Sequence, residues 1–266
     1  MSEIHPTAII EDGAVLGDGV FVGPFCHVGP QVTLADRVHL VSHVSVGGRT
    51  SIGEETQIYP FASVGQPPQH LKYHGEDVRL VVGAHNIIRE HVTMNPGTGI
   101  GRGETLVGDH GMFMAGCHIA HDSTVGDHVI FANNATIGGH VDVGNFVFLG
   151  GLCAVHQYSR IGDYSFVGGM AGLEGDLIPF GSCMGNRAFL AGLNIVGMKR
   201  RNVPRDSIHA IRGAYRMLFA EEGTFQERLD DVAEMFSEQP EVQEIVRFVR
   251  SASNRPLCMP KPERGA

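Results

Sequence analysis

Residues 107–143 read VGDHGMFMAGCHIAHDSTVGDHVIFANNATIGGHVDV, and their spacing decides the fold. Every sixth residue is aliphatic or phenylalanine, starting at Val107, and the pattern continues for twelve such positions to Leu173. An earlier run contains eleven, from Ile4 to Val64. Because neither an α-helix nor an ordinary strand repeats every six residues, the pattern predicts a repeat architecture.

Short strands joined by tight corners are the physical interpretation of this repeat. The sixth-position side chains would fill the axis of a coil. The glycines that often follow them, such as Gly17 and Gly23, would supply corner conformations that other residues adopt only at a cost. Three hexads make a triangular coil, so residues 18 apart lie above one another on adjacent coils. The fold class is therefore mainly β, a parallel β-helix of hexapeptide repeats whose handedness the repeat does not set.

Two interruptions of the repeat predict inserted loops. The six-residue spacing is lost near residues 66–80 and again near residues 99–106. It returns after each interruption, so we expect the same coil to continue beyond both loops. The sequence therefore predicts one β-helix domain over residues 1–195.

The last quarter of the chain has a different pattern, with apolar residues at helical spacing. Thr224 and Glu227 form a capping-box pattern that marks the start of a helix. Pro240 begins a further helix. We therefore expect a small C-terminal α-helical domain of three helices over residues 196–266, with a loose tail from about Ser253.

Composition points to an ordinary cytoplasmic protein. The 266 residues carry a net charge of −9, which argues against general nucleic-acid binding. We find no apolar run long enough for a membrane span and no signal-peptide pattern in the first residues. The five cysteines are scattered and odd in number, which favours free thiols in a reducing compartment.

Three histidines that are far apart in the sequence converge at one corner of the predicted coil. Steps of 18 place Gly139 directly above His121, and His140 directly above Asp122. His156 lies one coil further on, beside the same corner. An imidazole base that faces a backbone N–H without a side chain suits acyl transfer, because one group accepts a proton and the other stabilises the oxyanion.

A zinc site is the competing interpretation, since the gamma carbonic anhydrases, another hexapeptide-repeat class, bind zinc through histidines. Zinc requires three or four ligands in tetrahedral geometry. His118 and His121 occupy different hexad positions, so their side chains are expected to point in different directions. We therefore favour a base without a metal, with Cys117 a packing residue.

Several stretches resemble one family over nearly the whole chain. They are HIAHDSTVGDHVIFANNATIGGHVDVG, AVHQYSRIG, GQPPQHLKYHGE and LNIVGMKRRNV. These motifs are similar to the UDP-N-acetylglucosamine O-acyltransferases of lipid A and lipopolysaccharide synthesis. The resemblance implies a left-handed β-helix, a homotrimer with active sites between subunits, and no cofactor beyond the phosphopantetheine of acyl carrier protein. It also implies transfer of a 3-hydroxyacyl chain from that carrier to the glucosamine 3-OH of UDP-N-acetylglucosamine.

The resemblance assigns roles to individual residues. It makes His121 the general base, Asp122 its orienting partner and Gly139 the oxyanion donor. Gly169 and Met170 would measure the acyl chain. The substrate-binding residues that it implies are Lys72, His118, His140, His156, Gln157, Asn194, Arg200 and Arg201.

Four positions depart from the family's usual pattern. His70 stands where an acidic residue is common, Asn95 and Pro96 replace a His-Arg pair, and Arg187 is often histidine. These changes leave open an acceptor that carries a 3-amino group, which would make the reaction an N-acylation. A coenzyme-A-dependent acetyltransferase fits the base but not the whole-chain resemblance, and a non-catalytic scaffold is the alternative from a different class.

A basic segment supports the carrier protein as a partner. Between residues 196 and 216, six basic side chains face one acidic residue, Asp206, in a chain that is acidic overall. Such a patch would attract an acidic carrier or hold phosphates, and salt should weaken it. The six basic residues are Lys199, Arg200, Arg201, Arg205, Arg212 and Arg216.

Overall fold

The computed structural model describes residues 2–261, which form 28 strands and four helices. The first strands are β1 (Glu3–Ile4), β2 (Ile9–Ile10), β3 (Val15–Leu16), β4 (Phe21–Val22), β5 (His27–Val28), β6 (Thr33–Leu34), β7 (His39–Leu40), β8 (Ser45–Val46), β9 (Arg49–Ile52), β10 (Gln57–Ile58), β11 (Ser63–Val64), β12 (Arg79–Val82), β13 (Ile87–Ile88) and β14 (Thr93–Met94). The remaining strands are β15 (Glu104–Val107), β16 (Met112–Phe113), β17 (His118–Ile119), β18 (Thr124–Val125), β19 (Ile130–Phe131), β20 (Thr136–Ile137), β21 (Asp142–Val143), β22 (Phe148–Leu149), β23 (Ala154–Val155), β24 (Arg160–Ile161), β25 (Phe166–Val167), β26 (Gly172–Leu173), β27 (Gly181–Met184) and β28 (Phe189–Leu193). The helices are α1 (Ile195–Arg200), α2 (Arg205–Leu218), α3 (Phe225–Met235) and α4 (Pro240–Arg250).

Each strand of the coil pairs in parallel with the strand three places later in the chain. The strands therefore form the three faces of a triangular prism. Sheet A contains β1, β4 and each third strand up to β25, followed by the hairpin β27–β28; sheet B runs from β2 to β26 and sheet C from β3 to β24. The register is 18 residues where the coil is uninterrupted, as in Phe131 opposite Leu149. The coil is left-handed, the opposite of most parallel crossovers. The predicted fold class is confirmed.

The core is the column of sixth-position side chains along the prism axis. Phe113, Ile119, Phe131 and Ile137 are all fully buried. Each two-residue strand therefore points one side chain into the axis, and the hydrophobic effect selects the hexad register. A slip by one residue would expose the whole column, which explains why the pattern is so regular.

The expectation that glycine supplies the corner conformations holds at only some corners, such as Gly19 and Gly116 with φ of 67° and 76°. Non-glycine residues occupy most left-handed corner positions, as Asp122 and His140 do with φ near +60°, and Gly17 and Gly23 are not left-handed. Gly23 and Gly53 are needed for another reason, because a Cβ would lie 1.8 Å from the Val41 carbonyl oxygen and 2.4 Å from the carbon of Gly83. Glycine thus permits close approach between coils.

Stacked rings line one corner of the prism, the edge between sheets C and A. Neighbouring centroids lie 4.7–5.4 Å apart and the rings are nearly parallel. Stacking of this kind contributes about 0.5–1.5 kcal/mol for each aromatic pair, which offsets the strained left-handed backbone of these residues. The column consists of His85, His110, His128, Phe146, Tyr164 and Phe180.

Both inserted loops leave the prism at the same corner, the edge between sheets B and C. The first connects β11 to β12 over residues 65–78, and the second connects β14 to β15 over residues 95–103. The second loop ends earlier than expected, because residues 104–107 already pair with β12 and β18. We call this edge the B–C corner.

The helical region adds a short helix, α1, to the three that were expected. Thr224 and Glu227 make the predicted capping box at the start of α3. A buried ion pair holds the region to the coil, because Arg160 contacts Asp176 at 2.7 Å and stacks over Phe248 of α4. No helix within residues 2–261 is both long and apolar enough to cross a membrane.

The tail beyond Ser253 is docked rather than loose, as far as residue 261. Asp176 donates its N–H to the Pro256 carbonyl at 2.8 Å, and Cys258 donates to the Asp176 carbonyl at 2.8 Å. Cys258 is buried, like the other four cysteines, and all five are free thiols. Backbone pairing and burial of this segment outweigh the sequence signals for a free terminus; residues 262–266 lie outside the described part.

A partly buried carboxyl group in α4 should make stability depend on pH. Burial raises the pKa of Glu244 to about 7, and the Asp163 carboxylate adds to the effect while Arg247 opposes it. The folded pKa exceeds the unfolded value near 4.5, so ionisation of Glu244 destabilises the folded state. This loss of folding free energy is small in acid, grows between pH 4.5 and 7, and is complete above pH 7.

We expect Glu244→Gln to raise the free energy of unfolding at pH 8 by about 1–2 kcal/mol, roughly half the full value of the shift because the carboxyl group is partly exposed. The gain should be much smaller at pH 5. Denaturant unfolding at the two pH values measures it. The exposed Glu234→Gln in α3 is the control, and an equal gain in both variants would contradict the assignment to burial.

Candidate active site

The predicted column at the B–C corner is present. His140 donates its N–H to the His121 carbonyl at 3.0 Å, and Tyr158 donates to the Gly139 carbonyl at 3.1 Å. These bonds join successive coils at the corner that follows β17, β20 and β23. His121, Gly139 and Gln157 therefore occupy the same corner of three stacked coils, as the count in steps of 18 predicts.

His121 and Asp122 form a buried pair. The Nδ1 atom of His121 lies 2.8 Å from Oδ2 of Asp122, which is fully buried. Burial by itself would raise the pKa of Asp122, but hydrogen bonds from His121 and Thr98 outweigh it and hold the pKa well below its ordinary value. Asp122 therefore stays ionised and accepts the Nδ1 proton, which leaves Nε2 of His121 as the basic nitrogen.

The second inserted loop holds the Asp122 carboxylate. Thr98 donates its backbone N–H at 3.0 Å and its hydroxyl at 2.7 Å, and the Gly103 N–H donates at 3.1 Å. A Cβ at Gly101 would lie 2.4 Å from the carboxylate, so the loop must carry glycine there. Sequence reasoning missed these residues, although the break in the repeat after Met94 placed the loop at this corner.

Gly139 provides a bare backbone directly over the base. A Cβ at this position would lie 2.5 Å from Cε1 of His121. Within residues 2–261 the Gly139 N–H has no hydrogen-bond acceptor. At the corner between sheets C and A, the corresponding N–H of Asp127 is occupied by Asn145 Oδ1 at 2.8 Å. The Gly139 amide is therefore available to a ligand oxygen.

Further imidazoles surround the base. Burial lowers the pKa of His118 and of His140, and the neighbouring His121 adds to both shifts. His140 stacks on Tyr158, with ring centroids 4.5 Å apart. His70, from the first inserted loop, makes an edge contact with His121 at 4.9 Å between centroids. His118 and His140 therefore favour their neutral forms beside His121.

A zinc ion would have different ligands from the His118 and His121 considered in the sequence. His118 lies with Nδ1 2.7 Å from the Thr93 hydroxyl, and the group with metal-binding geometry is His121, Asp122 and His140 instead. Their ligand atoms lie within 4.8 Å of one another. A metal would have to displace the His121–Asp122 hydrogen bond and compete with the loop for a carboxylate that is already satisfied.

Other predicted residues flank the same corner. His156 and Gln157 are exposed one coil above Gly139. Lys72 is exposed on the first loop, and its N–H donates to Nδ1 of His70 at 3.2 Å. The corner therefore brings together most of the candidate residues.

The remaining candidates lie on other faces of the chain. The Asn194 amide caps α1 by accepting from the Gly197 N–H at 2.9 Å, and it donates to the Tyr164 carbonyl at 2.8 Å. Arg200 lines an apolar cavity of about 440 Å³ on the sheet A side. Arg201 stacks on a ring of the corner between sheets C and A.

The two predicted acyl-chain residues also lie away from His121. Gly169 and Met170 follow β25 of sheet A and precede β26 of sheet B, so they sit at the edge between those sheets. We call this edge the A–B corner. Met170 is 72% exposed there.

The unusual residues have structural partners. Asn95 is buried and donates to the Gln66 carbonyl at 3.1 Å, which ties the base of the first loop to the coil. Pro96 lines a cavity of about 690 Å³ beneath that loop. Arg187 pairs with Glu174 on the surface. Arg187 is therefore engaged elsewhere on the surface, Asn95 and Pro96 lie at the B–C corner with partners of their own, and His70 contacts His121.

A stacked parallel coil, a His–Asp pair and a free amide above the histidine define a hexapeptide-repeat transferase. The repeat model "Bacterial transferase hexapeptide (six repeats)" matches residues 13–48 and 104–139. The model "Udp N-acetylglucosamine O-acyltransferase; Domain 2" matches residues 176–258, which include the helical region.

Full-length relatives identify the family. An acyl-[acyl-carrier-protein]–UDP-N-acetylglucosamine O-acyltransferase of Methylobacterium radiotolerans is 69% identical over 97% of this chain and 95% of its own length. A protein of the same name from Mesorhizobium japonicum is 47% identical over 99% and 95%. The chain belongs to the UDP-N-acetylglucosamine O-acyltransferase family.

Solved structures agree with this assignment. The enzyme of that name from Moraxella catarrhalis is 41% identical, and it superposes with a TM-score of 0.93 over 96% of this chain and 99% of its own. A UDP-N-acetylglucosamine acyltransferase from Campylobacter jejuni is 34% identical, with a TM-score of 0.91 over 97% and 100%. The likeness covers the coil and the helical region together.

A methyl group at residue 139 should disable the site without unfolding the coil. Gly139→Ala places a Cβ against the His121 ring, so we expect kcat to fall by about 100-fold or more because both the base and the oxyanion donor move. Steady-state kinetics with a thermal melt measure this. Gly29→Ala, whose Cβ would have 3.4 Å of clearance, is the matched control. Unchanged kcat in the Gly139 variant would contradict the geometry.

Proposed function

We propose that this protein transfers a 3-hydroxyacyl group from acyl carrier protein to the 3-OH of UDP-N-acetylglucosamine. The observation that carries the proposal is the buried His121–Asp122 pair beneath the free N–H of Gly139. The names of its relatives supply the donor and the acceptor. This reaction is the first step of lipid A synthesis, and the buried free thiols are consistent with a cytoplasmic location.

The proposed mechanism follows from the hydrogen-bond pattern. Nε2 of His121 removes the proton from the sugar hydroxyl as the oxygen attacks the thioester carbonyl carbon. Asp122 stabilises the imidazolium, and the Gly139 N–H donates to the oxyanion. The intermediate then collapses, the C–S bond breaks, and the phosphopantetheine thiolate takes the proton from His121. The protein returns to its initial protonation state.

We propose that a complete active site needs more than one copy of the chain. His121 lies at the B–C corner, whereas Gly169 and Met170 lie at the A–B corner. Residues at two corners of one prism line a common cleft only if a second copy supplies one of them. Exposed apolar side chains along the A–B corner, including Phe61 and Leu152 at 54% and 60%, support such an assembly. With the family resemblance, this favours a homotrimer.

The basic patch, Lys199 to Arg216, is the proposed docking surface for the carrier. Arg212 and Arg216 border a small cavity of about 240 Å³ beside Leu193 and Ile195. An acidic carrier would bring its phosphopantetheine arm towards this side of the coil. Asn194, Arg200 and Arg201 are then proposed to contact nucleotide phosphate or the arm.

The 3-amino sugar is the second acceptor that we consider. His70 supports it, because an imidazole replaces the common acidic residue at a position that contacts the base. The relatives are named O-acyltransferases, so the hydroxyl acceptor remains our proposal. An assay of the purified protein with both sugar nucleotides and a series of 3-hydroxyacyl-carrier proteins tests acceptor, donor and chain length together.

Removal of the base should abolish transfer. We expect His121→Ala to lower kcat by about 10³-fold or more while the assembly persists, because the variant has no group at this position to accept the hydroxyl proton. Product formation and size-exclusion chromatography measure the two effects. The control is His27→Ala, a surface histidine paired with Glu11. Full activity of the His121 variant would favour a scaffold protein, and loss of activity to a chelator would favour zinc.

Carrier binding should depend on salt. Raising NaCl from about 50 to about 500 mM is expected to increase KM for the acyl-carrier protein several-fold, because it screens the basic patch. Arg212→Gln should raise KM at low salt and reduce this dependence. Arg250→Gln, whose arginine pairs with Asp230 on the helical surface, should do neither. If Arg212→Gln and Arg250→Gln have the same KM and the same salt dependence, the carrier binds elsewhere.

A further inference from the structure

The C-terminal tail carries a cation back to the B–C corner. The tail pairs with the coil around Asp176, and Gly175 allows this approach, since a Cβ there would lie 2.4 Å from the Pro256 carbonyl oxygen. Leu190 extends the pairing by donating its N–H to the Met259 carbonyl at 2.9 Å. The segment that follows Arg255 is thus held by three backbone hydrogen bonds, which keep Arg255 close to the coil.

Arg255 contacts both exposed residues of the uppermost candidate corner. Its Nε donates to the Gln157 carbonyl at 2.9 Å. Its terminal nitrogen approaches the His156 ring, closest to Nδ1. His156 Nδ1 also lies 3.2 Å from the Gln157 carbonyl oxygen, so this nitrogen has two competing neighbours, one a donor and one an acceptor.

The chemistry of arginine decides between these two neighbours. A guanidinium only donates and keeps its protons, so Nδ1 of His156 must offer its lone pair. The imidazole is then neutral and carries its proton on Nε2. The alternative tautomer would place an Nδ1 proton directly against the N–H protons of Arg255, and two donors repel each other.

We propose that Arg255 is a positioning residue that selects the Nε2–H tautomer of His156. The consequence for the reaction rests on the proposed function, which places His156 in the substrate cleft. His156 then presents an N–H donor to a substrate oxygen one coil above the Gly139 amide. Without Arg255, Nδ1–H would bond to the Gln157 carbonyl, and Nε2 would present a lone pair, which cannot bind a carbonyl or phosphate oxygen of a substrate.

The tautomer can be measured without any activity assay. In ¹⁵N-histidine NMR spectra of the full-length protein at neutral pH, His156 should show a protonated Nε2 and an unprotonated Nδ1, assigned with His156→Ala. Arg255→Ala should shift the population towards the Nδ1–H form, and Arg250→Ala should not. A protonated Nδ1 in the wild type, or no change in Arg255→Ala, would overturn the proposal.

A double-mutant cycle tests the kinetic consequence. Arg255→Ala and His156→Ala should each raise the KM of one substrate by about five- to tenfold, the size of one hydrogen bond, with kcat changed less. If Arg255 acts through His156, the double variant should match His156→Ala within about twofold. If the two increases in KM multiply in the double variant, or if His156→Ala has normal kinetics, the positioning role is overturned. The His121→Ala assay tests the proposed reaction separately, so the two failures are distinguishable.

Discussion

Hydrogen bonding between successive coils, at a register of 18 residues wherever the coil is uninterrupted, is the constraint on which the rest of the structure depends. Most strands contain only two residues, so no strand is stable alone and every coil relies on its neighbours. The buried column represented by Ile119 and Ile137 holds the register. Since the register is held along the whole prism, polar residues at the corners are placed with the same precision as the core.

The candidate site uses this precision in two ways. Stacking sets Gly139 over His121, at a separation that only a glycine permits. Insertions at the same corner then supply what the repeat lacks, because the coil itself provides the buried Asp122 carboxylate only with the His121 hydrogen bond. The donors from Thr98 and Gly103 satisfy it. A charged group this deeply buried would otherwise be costly, and the hydrogen bonds from the loop stabilise it.

Periodicity predicted much of the arrangement, because the side-chain column and the corner column are both direct consequences of counting. His121, Asp122, Gly139 and His140 were found in this way. The role of the glycines was misjudged, since close approach between coils depends on three-dimensional spacing and leaves no separate sign in the sequence. Thr98 was missed because the repeat is interrupted there, so counting no longer assigns a position.

The sequence by itself determined the β-helix, its corners and the residues that meet at each corner, because a period of six with buried aliphatics allows few other solutions. Tertiary structure alone decided where the inserted loops and the C-terminal tail pack against the β-helix. Arg255 reaches His156 although 99 residues separate them, through a tail whose composition suggested freedom. The physical reason is that such contacts depend on backbone pairing around Asp176 and on burial of Cys258, and neither has a period that could be read from the chain.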